Sequence, residues 1–173
     1  MGKLIDDEPK MFYLIGLRNA HSMETQAIQL LERQVERLEN YPEIEAKLRG
    51  HLEESKVQRT RLEEVLESLG ESHSALKETV LGLGGNIAAL AHTAASDEII
   101  KNTLANYMFE HFEIASYKSL TEMAAFLGHA PGVAAAQASL REEELMAAWI
   151  DEHIASTTRM FLDRIKAGVT ADH

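Results

Sequence analysis

Apolar residues recur every three or four positions along most of this chain, the spacing that keeps one face of an α-helix out of water. A first stripe runs through Leu17, Ala20, Ile28, Leu31, Val35 and Leu38, and a second through Ile44, Leu48, Ser55, Leu62 and Leu66. Thr103, Tyr107, Ile114, Tyr117 and Thr121 mark a third face, and Ala136, Leu140, Ala147, Ile150, Ile154, Phe161 and Ile165 a fourth. Punctuation sets the ends. Pro9 behind Asp6-Asp7-Glu8 reads as a first-turn proline, with acids at the positive end of the helix. The first helix is therefore predicted from about Pro9 to about Asn40, where Asn40-Tyr41-Pro42 stops it. Pro42 opens a second helix that closes after Leu69 at Gly70. Ser96-Asp97-Glu98 starts a third, ending at Leu127-Gly128, and Pro131 starts a fourth that runs to about Ala167.

Between the second and third helices, Ser72 to Ala95 is glycine-softened and ends in a small apolar run. At about 1.5 Å per residue, some twenty residues of helix cross the length of a bundle. Two antiparallel hairpins joined by such a crossover predict an all-α four-helix bundle, with an extra crossover helix at about 72–95. The expectation is a single domain over residues 1–173, with its core at about 9–167.

Composition narrows the function. The chain has 173 residues and no cysteine, which removes disulfides and thiolate metal sites. A net charge of −11 with no basic stripe argues against nucleic acid. No apolar run reaches the roughly 18 residues of a membrane span. The start, Met-Gly-Lys-Leu-Ile-Asp-Asp-Glu, has neither the basic opening nor the apolar run of a signal peptide, so a cytoplasmic location is expected.

The informative residues are the charges that interrupt the apolar faces. Glu24 falls at the centre of the first stripe and Glu143 at the centre of the fourth. Glu110 lies within the third, with Glu113 on its flank. On the second, His51 is well inside and Gln58 near the edge; Glu54 lies a quarter-turn aside, and Glu53 points away. Carboxylates brought together out of water raise one another's pKa and destabilise the fold. A cation between them removes the problem, and carboxylates with imidazole suit iron or manganese. Bundle-core carboxylate sites bind two metals. Plainer readings stand beside this one. Glu24 could bond Gln26 or Gln58, Glu110 and Glu113 could pair with Lys118 or an arginine, and His51 could be a polar core residue. Two of Glu142-Glu143-Glu144 must face water in any case. His111 is about 100° around the helix from Glu110, and the remaining histidines read as surface or capping residues.

The segments His51-Leu52-Glu53-Glu54, Glu110-His111-Phe112-Glu113-Ile114-Ala115-Ser116-Tyr117 and Glu142-Glu143-Glu144, with Glu24 on the first helix, carry a more specific likeness. From about Met11 to Ile165 the chain resembles the ferritin-like superfamily, and most closely its YciF-like branch of bacterial stress-associated proteins. The resemblance implies a ferritin-like bundle, commonly a homodimer, with a centre of two iron ions, or manganese, that meets oxygen or peroxide. Glu24, Glu54, Glu110, Glu113 and Glu143 would be terminal or bridging ligands, and His51 would complete the set. Tyr117 would hydrogen-bond a ligand carboxylate, and Gln58 and His111 would stand behind the ligands. The chain departs from the usual Glu-x-x-His pattern: three residues after Glu53, Glu54 and Glu143 come Lys56, Val57 and Met146. Such a site is oxygen-rich. The alternative is a metal-poor dimeric bundle that acts through a protein partner.

Overall fold

The computed structural model describes residues 3–71 and 95–173, with side chains from residue 8 onward. The expected crossover helix therefore falls on residues outside those described. The described residues form four helices: α1 (Lys3–Arg37), α2 (Pro42–Ser68), α3 (Glu98–Phe126) and α4 (Ala130–Ala167). They contain no strand, and the architecture is an all-α bundle. None of the described helices is long and apolar enough to cross a membrane.

The helix ends follow local chemistry, with one correction. α1 begins at Lys3, not at Pro9, which lies inside it. Proline is read as a first-turn residue because its missing N–H costs nothing there. Here the helix runs on for more than a turn before it, giving up one backbone bond close to its end. α1 also finishes at Arg37, short of Asn40; Leu38 still donates to the Gln34 carbonyl at 3.1 Å before the chain turns into Pro42. At the far end of α4, Gly168 takes φ +71°, a left-handed conformation open to glycine. That turn lets Gly168 and Val169 donate to the carbonyls of Ile165 and Arg164.

α1 packs on α2 and α3 on α4, and the two hairpins meet through α1 with α3 and α2 with α4. The apolar residues divide into two clusters. One holds Tyr13, Leu17, Leu62, Leu66, Phe109, Leu120 and Ala136; the other holds Leu31, Val35, Leu48, Leu52, Ile99, Met146 and Ile150. Near the junction of these clusters each helix contributes buried polar residues: Glu24 from α1, His51, Ser55 and Gln58 from α2, Glu110 and Glu113 from α3, and Ser139 and Glu143 from α4. A polar layer thus lies between two apolar ones. The predicted stripe on α4 fades toward its end, where Ile165 is exposed.

Several polar contacts pin the ends and middle of the bundle. Gln34 on α1 and Asn106 on α3 exchange amide bonds of 3.0 and 2.8 Å while buried. Arg37 donates twice to Glu98, at 2.7 and 2.6 Å, tying the end of α1 to the start of α3. The Ala171 carbonyl accepts from Tyr41 Oη at 2.6 Å, and that of Asp172 from the Ile99 amide at 2.8 Å. At the other end Gly132 permits close approach, since a Cβ there would stand 2.0 Å from Tyr13 Oη.

Candidate metal centre

The polar layer is assembled by helical period. Glu110 and Glu113 are one turn apart on α3, so both side chains point the same way. Glu24, His51 and Glu143 interrupt apolar stripes on the other three helices, and packing those stripes carries the polar groups inward. All five residues are at most 3% exposed. Ligand atoms of His51, Glu110, Glu113 and Glu143 all lie within 4.8 Å of one another. His51 Nε2 is 3.3 Å from Glu110 Oε2 and 3.6 Å from Glu143 Oε2. These are ion-pair contacts and not directed hydrogen bonds, since both oxygens lack a hydrogen-bond partner. Glu24 sits beside this group, its Oε1 accepting from the fully buried Tyr117 hydroxyl at 2.5 Å.

Crowding and burial reshape the acid–base properties. Burial, followed by contact with Glu110, pushes the Glu143 carboxyl up to about 10. Burial raises Glu24 to about 8 against the lowering effect of the Tyr117 bond. Glu113 is held well above its ordinary value by burial and by the carboxylates of Glu24, Glu143 and Glu110. Burial works to lower the pKa of His51, but Glu110, Glu54 and Glu143 together outweigh it and raise it well above its ordinary value. Burial and crowding thus favour protons on Glu24, Glu113 and Glu143, and the surrounding carboxylates favour one on His51.

The neighbouring cations are engaged elsewhere. Arg61 donates from Nη1 and Nη2 to Glu142 at 2.5 and 2.8 Å, and Lys118 pairs with Glu144 at 3.2 Å. The acidic run of α4 is thus divided: Glu143 faces inward, while its two neighbours face cations at the edge. Glu54 is also at the edge. Its side chain is 43% exposed, and Oε2 lies 3.1 Å from Nδ1 of His51, on the opposite side of the ring from the cluster. Gln58 is fully buried and donates to both Glu143 and Glu142. His111 is exposed, its ring edge-on to Tyr107 with centroids 4.6 Å apart, and lines a surface groove with Lys118 and Glu144.

Oxygen atoms decide what the layer can hold. Glu24 Oε2, Gln58 Oε1, Glu110 Oε2, Glu113 Oε1 and Glu143 Oε2 are all buried without a hydrogen-bond partner among the described residues. Each such acceptor disfavours the fold by about 1–3 kcal/mol unless something positive completes it. Acceptors from four helices around one imidazole match the donor preferences of iron(II) and manganese(II). Arg61 and Ser139 also border the site, although neither interrupts an apolar stripe in the way the acids do. Arg61 follows Gln58 by three residues on the same helix face, a visible signal; its pairing with Glu142 depends on the register of α2 against α4.

Residues 8–163 match the family model described as "Domain of unknown function (DUF892)". The chain belongs to the DUF892 family. A crystal structure of a protein from Xanthomonas campestris pv. campestris shares the fold of this DUF892 chain with a TM-score of 0.77 and 28% identity, covering 92% of this chain and 99% of that one. The E. coli stress protein YciF superposes with a TM-score of 0.68 at 22% identity, covering 85% and 94%. YcfI from Rhodopseudomonas palustris gives 0.67 at 26%, covering 83% and 92%. The resemblance to YciF-like, ferritin-like bundles therefore stands, on a DUF892 match that spans nearly the whole chain and on the shared fold.

Proposed function

We propose that this DUF892 protein is a metalloprotein whose buried layer holds two divalent iron or manganese ions. The observation that carries the reading is the set of buried carboxylate oxygens, drawn from α1, α3 and α4, that have no hydrogen-bond partner. Glu110, Glu113, Glu143 and His51 would hold one ion among them, with Glu24 placed beside them toward a second. Four glutamates carry four negative charges, the number that two divalent ions neutralise in a site with no water to screen them. Glu54 would orient His51 through Nδ1, as the outer partner of a metal-bound imidazole usually does. When bound, the ions supply redox and Lewis-acid chemistry toward oxygen or a peroxide. The chain's own part is to release protons from His51 and the glutamates as metal enters, to aim Glu24 through Tyr117, and to exclude water. The E. coli protein is a stress protein, and a stress-related role is carried over on the same footing, as is a single cytoplasmic domain. Aerobic titration of chelator-treated protein with iron(II), with elemental analysis of protein purified without chelators, tests the reading. Uptake near two ions per chain supports it; no bound metal and no oxygen consumption refute it.

One observation favours a second reading. A groove of about 580 Å³ between α1 and α3 is lined by Ala20, Met23, Phe109, Phe112 and Leu120, and Phe12, Phe112 and Phe126 are exposed along that side. This face suits a homodimer that acts through a partner without metal chemistry. Sedimentation of a Phe112→Glu variant tests it: a shift from dimer to monomer supports the interface, and an unchanged profile rejects it.

A further inference from the structure

Gln58 carries no charge, yet it is fully buried at the edge of the carboxylate layer. Its Nε2 donates to Glu143 Oε1 and, at 3.0 Å, to Glu142 Oε2. Glu142 is clamped in turn by the two terminal nitrogens of Arg61. A carboxylate paired with arginine is an acceptor, so the end of the amide that faces Glu142 must be the NH₂ end. Rotating the amide by half a turn would set its oxygen against the arginine-paired carboxylate of Glu142. The remaining atom, Oε1, is therefore fixed on the other side of the amide, where it is buried with no hydrogen-bond partner. It shares that condition with oxygens of Glu24, Glu110, Glu113 and Glu143. Glu143, one of those residues, accepts from the same amide, so a cation held by the carboxylates would lie in the neighbourhood of Gln58.

We infer that Gln58 is itself a metal donor through Oε1, held in that role by the Arg61–Glu142 clamp; this rests on the dinuclear reading above. Charge explains why the donor is an amide. The four buried glutamates already balance two divalent ions, and a fifth carboxylate would leave the site negative in a dry interior. An amide supplies an oxygen ligand without that charge. The fifth acid near the site, Glu54, stays at the edge on His51. An additional hard oxygen donor suits manganese(II) or iron(II) over softer ions. Arg61 and Glu142 act as positioning residues, since they touch the amide's orientation and not the ion.

The test is titration of chelator-treated wild type, Gln58→Leu, Gln58→Glu and Arg61→Met with manganese(II), reading free ion by electron paramagnetic resonance and fold by circular dichroism. Wild type should take up two ions. Gln58→Leu should bind one of them at least ~10-fold more weakly, and Arg61→Met should weaken binding by about 10-fold without changing the stoichiometry. Gln58→Glu, which keeps an oxygen donor, should bind more tightly than Gln58→Leu. Were Gln58 merely a hydrogen-bond donor to Glu143, Gln58→Glu would repel that carboxylate and bind more weakly than Gln58→Leu. That order, or wild-type binding by Gln58→Leu, overturns the donor role and leaves the dinuclear reading intact. No manganese uptake by wild type overturns both. If Gln58→Leu does not fold, Arg61→Met decides: affinity equal to wild type overturns the inference.

Discussion

Replacing Glu143 by glutamine keeps the shape of the polar layer and removes one ionisable group from it. The Gln58 amide can still donate to Oε1 of the new residue, and the new amide can donate toward Glu110. What changes is the proton balance. Glu143 has a pKa near 10 in the fold against 4.5 as its ordinary value, mainly through burial. A carboxyl raised in this way stabilises the fold fully below pH 4.5, and that stability is lost as the pH rises toward 10, because the unfolded chain gives up the proton and the folded chain does not. By pH 7 the unfolded state has gained over some 2.5 pH units, a few kcal/mol in order of magnitude. Glu24, Glu110 and Glu113 share the crowding with Glu143, so removing one acid relieves only part of it. The metal-free variant should therefore be more stable than wild type at pH 7 by about 2 kcal/mol, or some 4–8 °C in melting temperature for a chain of this size. Urea denaturation in chelator from pH 4.5 to 8.5 measures it. Wild type should weaken steadily as pH rises while the variant stays flatter, the two converging near pH 4.5. His51 adds to the same slope, since its raised pKa makes its contribution greatest at low pH and lost at high pH. A gap that does not change with pH, or a variant weaker than wild type at pH 8, would refute the reasoning.

Three further outcomes follow from the geometry. Manganese(II) or iron(II) at a hundred times its dissociation constant should stabilise wild type by about 2.7 kcal/mol for each ion bound, and Glu24→Ala with Glu110→Ala should abolish the rise seen by calorimetry. Gly132→Ala should cost about 1–3 kcal/mol, because its Cβ would meet Tyr13 Oη at 2.0 Å and His129 Nδ1 at 2.6 Å. Tyr13→Phe in the same chain should recover part of that loss in a double-mutant cycle. Gln34→Leu should cost about 1–3 kcal/mol in urea melts by stranding the buried Asn106 amide, and Gln34→Leu with Asn106→Leu should cost less than the single change.

Much of this molecule is legible in its residue order, for reasons that differ from place to place. Glu24, Glu110 and Glu143 stand out because each breaks an apolar stripe at helical period, and burying the stripe buries the charge. The ends of α2 and α4 follow Pro42 and Gly168, whose backbone limits act locally. Pro9 misleads for the same reason: the local rule prefers a helix start, while the observed helix carries the proline inside it. His51 and Glu54 could not be ranked by periodicity alone. About 60° around the helix separates a ring 1% exposed from a carboxylate 43% exposed, and only the packing of α2 settles which turns inward. His111, beside Glu110 in the chain, lands at the surface because one residue is 100° of rotation. The Arg61–Glu142 clamp lies furthest from view, since its partners sit on helices that meet only in the folded bundle.

The polar layer between two apolar clusters also acts as an index mark for helix alignment. Sliding any one helix by a turn, about 5.4 Å, would move its glutamate or histidine out of the shared level and into hydrocarbon. Apolar stripes tolerate such slips, because leucine and valine repeat with each turn and one layer resembles the next. A bundle with this level rebuilt in leucine would gain melting temperature and lose its unique alignment, giving broadened amide resonances in place of a single resolved set.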